Sequence, residues 1–296
     1  MAWYIFSLIA LFTATGYSIC QKWALNLKIS EKLFLLFYFI SGFIGFLAIT
    51  AKSLPDLFSG EKVLPFLIFG FLVALFSMTG NIFSIKAFAK APNPAYVDAI
   101  RNGNSILILF LSILFFQSSI TVLKIFGVVL IFLGLIPVIF ENKKKFNWQG
   151  QWQYWALGAM LAFTGMIIAT KKMLSLNFNA QEILLILFFF ATIIFLFINR
   201  FKFQDKKSRV GRPLPKLVLA VVLALVFVFI SNLSHFTAVG KAPNPGYPQA
   251  ILNASMVLTL LLARVFLPSR SGGHFDLKKW LGILVVFGGI LLLIFG

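Results

Sequence analysis

Four polar side chains lie close together in a segment that is otherwise apolar enough to cross a membrane. Asp98, Arg101, Asn102 and Ser105 follow one another at spacings of three and four, so they share one face of a helix. Polar groups in hydrocarbon are costly and usually face a bundle interior or a water-filled cavity. Asp98 could bind a proton or an ammonium group there, and Arg101 could hold a carboxylate. A purely structural ion pair between them is the alternative.

The same layout recurs in uncharged form in the second half of the chain. Residues 90–102 read KAPNPAYVDAIRN and residues 241–253 read KAPNPGYPQAILN, with nine of thirteen positions identical. Gln249 and Asn253 therefore occupy the places of Asp98 and Asn102, 151 residues further on. A duplicated apolar chain with a matched polar break in each half is typical of an internally repeated transporter.

Each copy of the motif contains the sequence PNP, which predicts the start of a helix. Pro94 and Pro245 suit a first helical turn, where the missing N–H costs nothing. Asn93 and Asn244 can cap these helices. The free N–H groups could attract an anion, but ordinary capping is the interpretation we favour.

Two further segments supply polar residues that could face the same interior. Asn81 and Asn232 are repeat counterparts, and His235, which titrates near neutral pH, joins Asp98 as a proton-coupling candidate. A hydrogen-bonded packing role is the commoner one for a lone helical histidine, and asparagines often simply join neighbouring helices. We predict a central substrate cavity whose candidate residues are Asn81, Ser84, Tyr96, Asp98, Arg101, Asn102, Asn232, His235, Tyr247, Gln249 and Asn253.

The composition predicts an all-α polytopic membrane protein. Sixty per cent of the residues are hydrophobic and only 11% are charged, more apolar surface than a soluble chain of this size could bury. The single cysteine, Cys20, excludes a disulfide within the chain. Hydropathy predicts ten transmembrane helices at about 2–22, 32–51, 64–88, 95–117, 121–140, 151–172, 181–199, 215–238, 246–268 and 277–295.

The helices divide into two repeats of five. Residues 1–140 form the first, 141–150 a linker and 151–296 the second. Because five is an odd number of spans, the second half must be inverted relative to the first.

The positive charges predict the orientation of the chain. Nineteen of the 26 Lys and Arg residues lie in loops on one side, six lie on the other, and Arg101 lies within a helix. The positive-inside rule then places both termini outside the cell. The net charge of +18 reflects these loops, so we expect no nucleic-acid partner. We expect an integral, multi-pass protein of a prokaryotic inner (cell) membrane.

Motifs for catalysis are absent from the sequence. It contains no HExxH, GxSxG or Walker A motif, and its eight acidic residues are scattered. His235 and His274 are too isolated to suggest a metal site. We therefore expect neither an enzyme nor a cofactor or metal.

The chain resembles the drug/metabolite transporter superfamily, in particular its EamA-type ten-helix members. The resemblance rests on the five-plus-five duplication, the breaks before helices 4 and 9, and the patterns KIFGVVLIFLGL and KWLGILVVFGGI in helices 5 and 10. It implies a carrier that works by alternating access, with helices 3, 4, 8 and 9 around a central site.

Two features depart from the resemblance. A Gly-Glu pair often follows helix 4 in such proteins, but Phe116-Gln117 stands here, and PSRSGGHFDLKK replaces the second pair. No role of that glutamate can be transferred. Many relatives are also described with cytoplasmic termini, opposite to the charge distribution here.

These features predict a secondary transporter of small polar or amphipathic metabolites, such as amino acids or related compounds. Export is implied by the resemblance alone. A carrier of sugars, nucleotide sugars or phosphorylated metabolites would need more cations than Arg101, Lys86 and Lys241 supply. A lipid scramblase or a non-transporting scaffold is the alternative from another class. The partners we expect are a small-molecule substrate and the lipid bilayer, and the chain could also pair as a homodimer.

Overall fold

A computed structural model describes residues 2–27, 29–57, 60–90, 97, 100–139, 151–199, 214–266 and 277–296. Every element assigned within these ranges is helical, and a 3₁₀ turn at Gly60–Lys62 leads into α4. The α-helices are α1 (Trp3–Asn26), α2 (Glu31–Thr50), α3 (Leu54–Leu57), α4 (Val63–Lys90), α5 (Asn104–Phe116), α6 (Val122–Ile139), α7 (Gln151–Ser175), α8 (Ala180–Asn199), α9 (Leu214–Lys241), α10 (Gly246–Asn253), α11 (Ser255–Phe266) and α12 (Leu277–Phe295).

Six helices of the described chain are long and apolar enough to cross a membrane. They correspond to α1, α2, α4, α7, α8 and α9, and shorter apolar helices cover 100–116, 122–137 and 280–295. Large side chains such as Phe197 and Phe295 are 82% exposed, which suits contact with lipid. The predicted all-α, polytopic membrane protein is confirmed.

The capping residues explain where two of the helices begin. The side chain of Ser30 accepts a hydrogen bond from the N–H of Leu33 at 3.1 Å and caps α2. Before α8, Asn179 and Glu182 form a reciprocal capping box: each side chain accepts from the other's backbone N–H at 2.9 Å. These bonds satisfy N–H groups that a helix start leaves without partners.

The first helix of each half packs along the third helix of the other half. α1 packs on α9, and α7 packs on α4. Gly16 lies against the ring of Phe227, and its counterpart Gly165 lies against the ring of Phe76, where an added Cβ would approach to 3.0 and 3.1 Å. Exchanging the two halves therefore turns one contact into the other. The main helix contacts of each first helix are therefore with the other half.

Helices α6 and α12 pack against each other through glycines. A Cβ at Gly127 would lie 2.9 Å from the carbonyl oxygen of Gly289, and a Cβ at Gly134 would lie 2.7 Å from that of Gly282. The lower number on one helix meets the higher number on the other, so the two helices run antiparallel. Glycines permit this approach because they leave no side chain between the backbones.

Segments 95–117 and 246–268, which hydropathy predicts as continuous helices, each contain a turn. In the first segment the turn falls at Gly103, and in the second at Ala254, 151 residues later. The N–H of Gly103 donates to the oxygen of Ile100 at 3.1 Å. The N–H of Ala254 donates to the oxygen of Ile251 at 3.1 Å and also keeps the helical bond to the oxygen of Ala250 at 3.3 Å. Both turns thus carry the same three-residue hydrogen bond, which hydropathy cannot reveal because the apolar character continues through it.

The glycine contact between α6 and α12 can be tested by adding one methyl group. Gly134→Ala would place that methyl 2.7 Å from the Gly282 oxygen and 2.8 Å from the Val286 nitrogen. Backbone atoms cannot move aside as a flexible side chain can, so we expect a loss of about 1–3 kcal/mol in stability. The melting temperature of the purified protein in detergent measures it. Gly288→Ala is the matched control, because nothing lies within 4 Å of that position. Equal melting temperatures for the two variants would contradict the contact.

Candidate functional site

The two helix turns face each other at the junction of the halves. The amide nitrogen Nδ2 of Asn253 donates to the backbone oxygen of Asn102 at 2.9 Å and to Oδ1 of Asn104 at 3.1 Å. Asn102 and Asn253 are repeat counterparts, so a contact between them lies where the halves meet. Nδ2 of Asn102 approaches the sulfur of Met256 at 3.7 Å. Asn102 and Asn253 therefore occupy equivalent positions in the two halves but form different hydrogen bonds.

The turn at Gly103 creates the acceptor for this contact. In an uninterrupted helix, the oxygen of Asn102 would accept from the N–H of Ile106. That N–H donates to the oxygen of Gly103 instead, at 3.2 Å. The freed oxygen of Asn102 is taken up by the hydroxyl of Ser105, at 3.1 Å, and by Asn253. Polar side chains therefore supply the hydrogen bonds that the backbone no longer makes and that lipid cannot offer.

Gln249 extends the contact toward α9. Its Nε2 donates to Oδ1 of Asn253 at 2.9 Å, so a buried chain of amides runs from α10 to the first half. The side chain of Gln249 also lies beside the imidazole of His235. Neither ring nitrogen of His235 has a hydrogen bond of good geometry, although the residue is only 4% exposed. We call Asn102, Asn104, His235, Gln249 and Asn253 the junction site.

Other buried polar atoms without a hydrogen bond occur in the described chain. They are the hydroxyl groups of Ser84, Thr170 and Tyr247. Ser84 lies 151 positions before His235, so the two repeats leave an unpaired polar atom at the same place. Such atoms are expensive to bury and commonly mark a site where water or a ligand binds.

Asn81 and Asn232 have hydrogen bonds that lead away from the junction site. Nδ2 of Asn81 donates to the oxygen of Ser77 in its own helix at 2.8 Å. Nδ2 of Asn232 donates to the hydroxyl of Tyr38 at 3.3 Å. Sequence reasoning did not single out Tyr38, because a tyrosine in an apolar helix resembles lipid-facing packing.

Four predicted cavity residues remain, and the structure describes two of them. Tyr96 and Asp98 lie outside the described residues. Arg101 is half-buried. Tyr247 is fully buried, with its ring 6.1 Å from that of Trp3 and 5.8 Å from Nζ of Lys124. It therefore lies near the start of α1 and of α6.

Asn244 fixes the second PNP turn to the other half of the chain. Its Oδ1 accepts from the N–H of Gly246, the first residue of α10, at 2.8 Å, although Pro245 and not Asn244 is the N-cap residue of this helix. Its Nδ2 donates to the oxygen of Leu109 in α5 at 3.2 Å. A Cβ at Gly246 would come within 2.9 Å of the Leu109 backbone, so only glycine permits this approach. The turn before α10 is thereby held against the first half.

Lys171 holds the end of α9 just before this turn. Its Nζ donates to the backbone oxygens of Val239, Gly240 and Ala242 at 3.1, 3.3 and 3.1 Å. A cation at a helix C-terminus bonds to carbonyls that have no helical partner and interacts favourably with the negative end of the helix dipole. The repeat counterpart, Lys22, is exposed. The two halves therefore differ at equivalent lysines.

Two of the cations that could bind an anionic substrate lie near helix ends. Lys86 and Lys241 are exposed, with Nζ 4.4 Å from the Trp155 ring and 5.1 Å from the Phe6 ring. The described residues contain no cluster of metal-binding side chains.

The described helices, six of which are long and apolar enough to cross a membrane, define an all-α, multi-pass membrane protein. Residues 150–295 match the EamA-like transporter family, which is part of the drug/metabolite transporter superfamily. The resemblance expected from the sequence is confirmed, and it implies a multi-pass membrane transporter of this type.

Comparison with solved structures extends the likeness in fold to the whole chain. A crystal structure described only as that of a protein superposes with a TM-score of 0.74 at 13% identity. The match covers 98% of this chain and 95% of that one. At this identity the likeness is one of fold alone. No curated protein matches the sequence.

The hydrogen bonds of Asn253 can be tested against those of Asn81. Asn253→Leu would remove the partner of Asn104 and of Gln249 and leave the Asn102 oxygen with Ser105 alone, so we expect a loss of about 1–3 kcal/mol in stability. Asn81→Leu breaks one bond within a single helix, and we expect a smaller change. Thermal unfolding in the same detergent compares them. If Asn81→Leu were the more destabilising, Asn253 would not join the halves as described.

Proposed function

We propose that this protein is a secondary transporter of small polar or amphipathic metabolites, with amino acids or related compounds as the substrate class. The match of residues 150–295 to the EamA-like transporter family supports transport of the drug/metabolite type. The observation that carries the proposal further is the junction site, where buried amides and an unpaired imidazole lie between two interrupted helices. Interrupted helices that meet within a bundle are the common means by which carriers present polar groups at mid-membrane.

The arrangement we propose has ten spans in two inverted repeats, with both termini outside. The antiparallel contact of α6 with α12 supports the inversion. Gly127 meets Gly289 while Gly134 meets Gly282, and shifting one pair by 155 residues gives the other. Equivalent helices that pair antiparallel are related by an axis perpendicular to their length, which in a membrane lies in its plane. The loops on one side carry 19 Lys and Arg residues and those on the other side carry six, which supports termini outside the cell.

Alternating access by rocking of the halves is the mechanism we propose. Lys171 bonds to backbone oxygens at the end of α9, whereas its counterpart Lys22 is exposed. Only one of the two equivalent positions therefore has a lysine that holds a helix end. In the opposite conformation the two lysines exchange roles. Each change of state then costs one set of hydrogen bonds and regains another. Export is the direction that we propose from the family resemblance.

Transport can be tested by solute counterflow in liposomes that contain the purified protein. Liposomes preloaded with an unlabelled amino-acid mixture should accumulate a labelled amino acid transiently and saturably, which protein-free liposomes should not. Parallel sets preloaded with sugars or organic phosphates test the rival carrier classes. Exchange with sugar phosphates alone would contradict the amino-acid assignment. Flipping of fluorescent lipids with no solute exchange would favour a scramblase.

The role of Lys171 can be tested with its neighbour Lys172 as a control. Lys172 is exposed, so Lys172→Gln removes the same charge without the three carbonyl bonds. In Cys20→Ser protein, a reporter cysteine replaces Ala242, which is 3% exposed. Hydrogen bonds from a charged group are worth about 1.5–3 kcal/mol, so Lys171→Gln should raise maleimide labelling about tenfold. Equal labelling in both variants would mean that Lys171 does not fasten this end.

A further inference from the structure

His235 is buried on the protein side of α9, yet neither of its ring nitrogens has a hydrogen bond of good geometry, even to the nearby side chain of Gln249. An unpaired polar group of this kind costs about 1–3 kcal/mol. The cost is avoided when a water molecule or a ligand supplies the missing bonds. The imidazole is therefore the strongest unfilled hydrogen-bonding group of the described junction site.

The polar group that the structure describes beside His235 is neutral. Its polar neighbour is the carboxamide of Gln249, which is itself joined to Asn253. At the repeat positions where the first half carries Asp98 and Arg101, the second half carries Gln249 and Leu252. The sequence has thus removed both charges from the half to which His235 belongs. An ionised ligand group would find no opposite charge in these residues, and burying it unpaired would be costly.

Hydrogen-bonding capacity narrows the class of ligand group further. A neutral imidazole presents one donor and one acceptor. A hydroxyl or a carboxamide can accept from one group and donate to another, so either suits the imidazole together with the neighbouring amide. A methyl or thioether group of the same size would leave both ring nitrogens unpaired.

We propose that His235 and Gln249 form a subsite for an uncharged hydroxyl or carboxamide of the substrate. The subsite rests on the proposed function, because the substrate class is that of amino acids. It selects side chains such as those of threonine, serine and glutamine over apolar side chains of equal size. The selection follows from asymmetry between the repeats, since the equivalent position in the first half holds the smaller Ser84.

Pairs of amino acids that differ in one group test the subsite. Threonine and valine have nearly the same shape, and glutamine can be compared with methionine. A site built to bond a hydroxyl or amide rejects the analogue that lacks it, so we expect at least about tenfold stronger inhibition of counterflow by threonine than by valine. Glutamine should likewise exceed methionine. Equal inhibition within each pair overturns the subsite and indicates an internal water only.

Variants at His235 separate recognition from folding. His235→Leu should abolish the preference for threonine over valine, whereas His235→Gln, which keeps a donor and an acceptor, should retain part of it. Thr237→Val is the matched control, because the Thr237 hydroxyl bonds to the oxygen of Leu233 in its own helix. It should keep the full preference. If His235→Leu does not fold, His235→Asn takes its place, because its shorter side chain cannot reach the positions of the ring nitrogens. A preference in His235→Asn equal to that in Thr237→Val overturns the proposal.

The outcomes also distinguish the subsite from the transport function. Saturable exchange of amino acids with no preference for hydroxyl or amide groups would retain the transporter and remove the subsite. Absence of exchange with every amino acid would remove the proposed substrate class, and the subsite with it. A preference that survives His235→Leu would place the selecting group elsewhere in the protein.

Discussion

A helix in hydrocarbon cannot be interrupted unless another group takes up the hydrogen bonds that the interruption frees, because lipid offers none. The turn at Gly103 shows how this chain meets the constraint: the freed oxygen of Asn102 accepts from Ser105 and from Asn253 of the other half. The interruption and the junction between the halves are therefore one arrangement. Polar side chains that a continuous helix would not need become the residues that join the two halves.

The same dependence of one half on the other appears in the helix packing. The first helix of each half is buried against the third helix of its partner, with Gly16 against Phe227 and Gly165 against Phe76. Small residues allow these approaches, since in a bilayer helices are held by close packing and hydrogen bonds more than by a hydrophobic drive. In the proposed alternating-access mechanism, contacts that interchange between the halves let the junction change shape while the outer helices keep their packing.

The repeat is most informative where it fails. Ser84 and His235, and likewise Lys22 and Lys171, occupy equivalent positions with different side chains or different partners. Identical halves would give a site with identical ends and no preference for one state. In the function that we propose, differences at the junction select the substrate and differences at the lysines bias the conformation. Few side chains on a common backbone would then carry both properties.

The sequence by itself determined the class of protein and most of its helices. Long apolar segments can only be helices in a membrane, and the duplicated motif identified the halves and the importance of Asn102, Gln249 and Asn253. The family resemblance also followed from these patterns. Inversion of the repeats follows from counting spans, and it stays a prediction that the antiparallel contact of α6 with α12 supports.

Only the tertiary structure decided which polar groups meet. Asn81 and Asn232 are equivalent in sequence, yet one bonds to its own helix and the other to Tyr38. Asn104 and the three carbonyls held by Lys171 carried no signal of their own. Hydropathy and repeats fix where a helix lies along the chain, but its rotation depends on contacts with helices far away in sequence. A rotation of one residue moves a side chain by about 100° around the axis, so partners cannot be assigned before that packing is known.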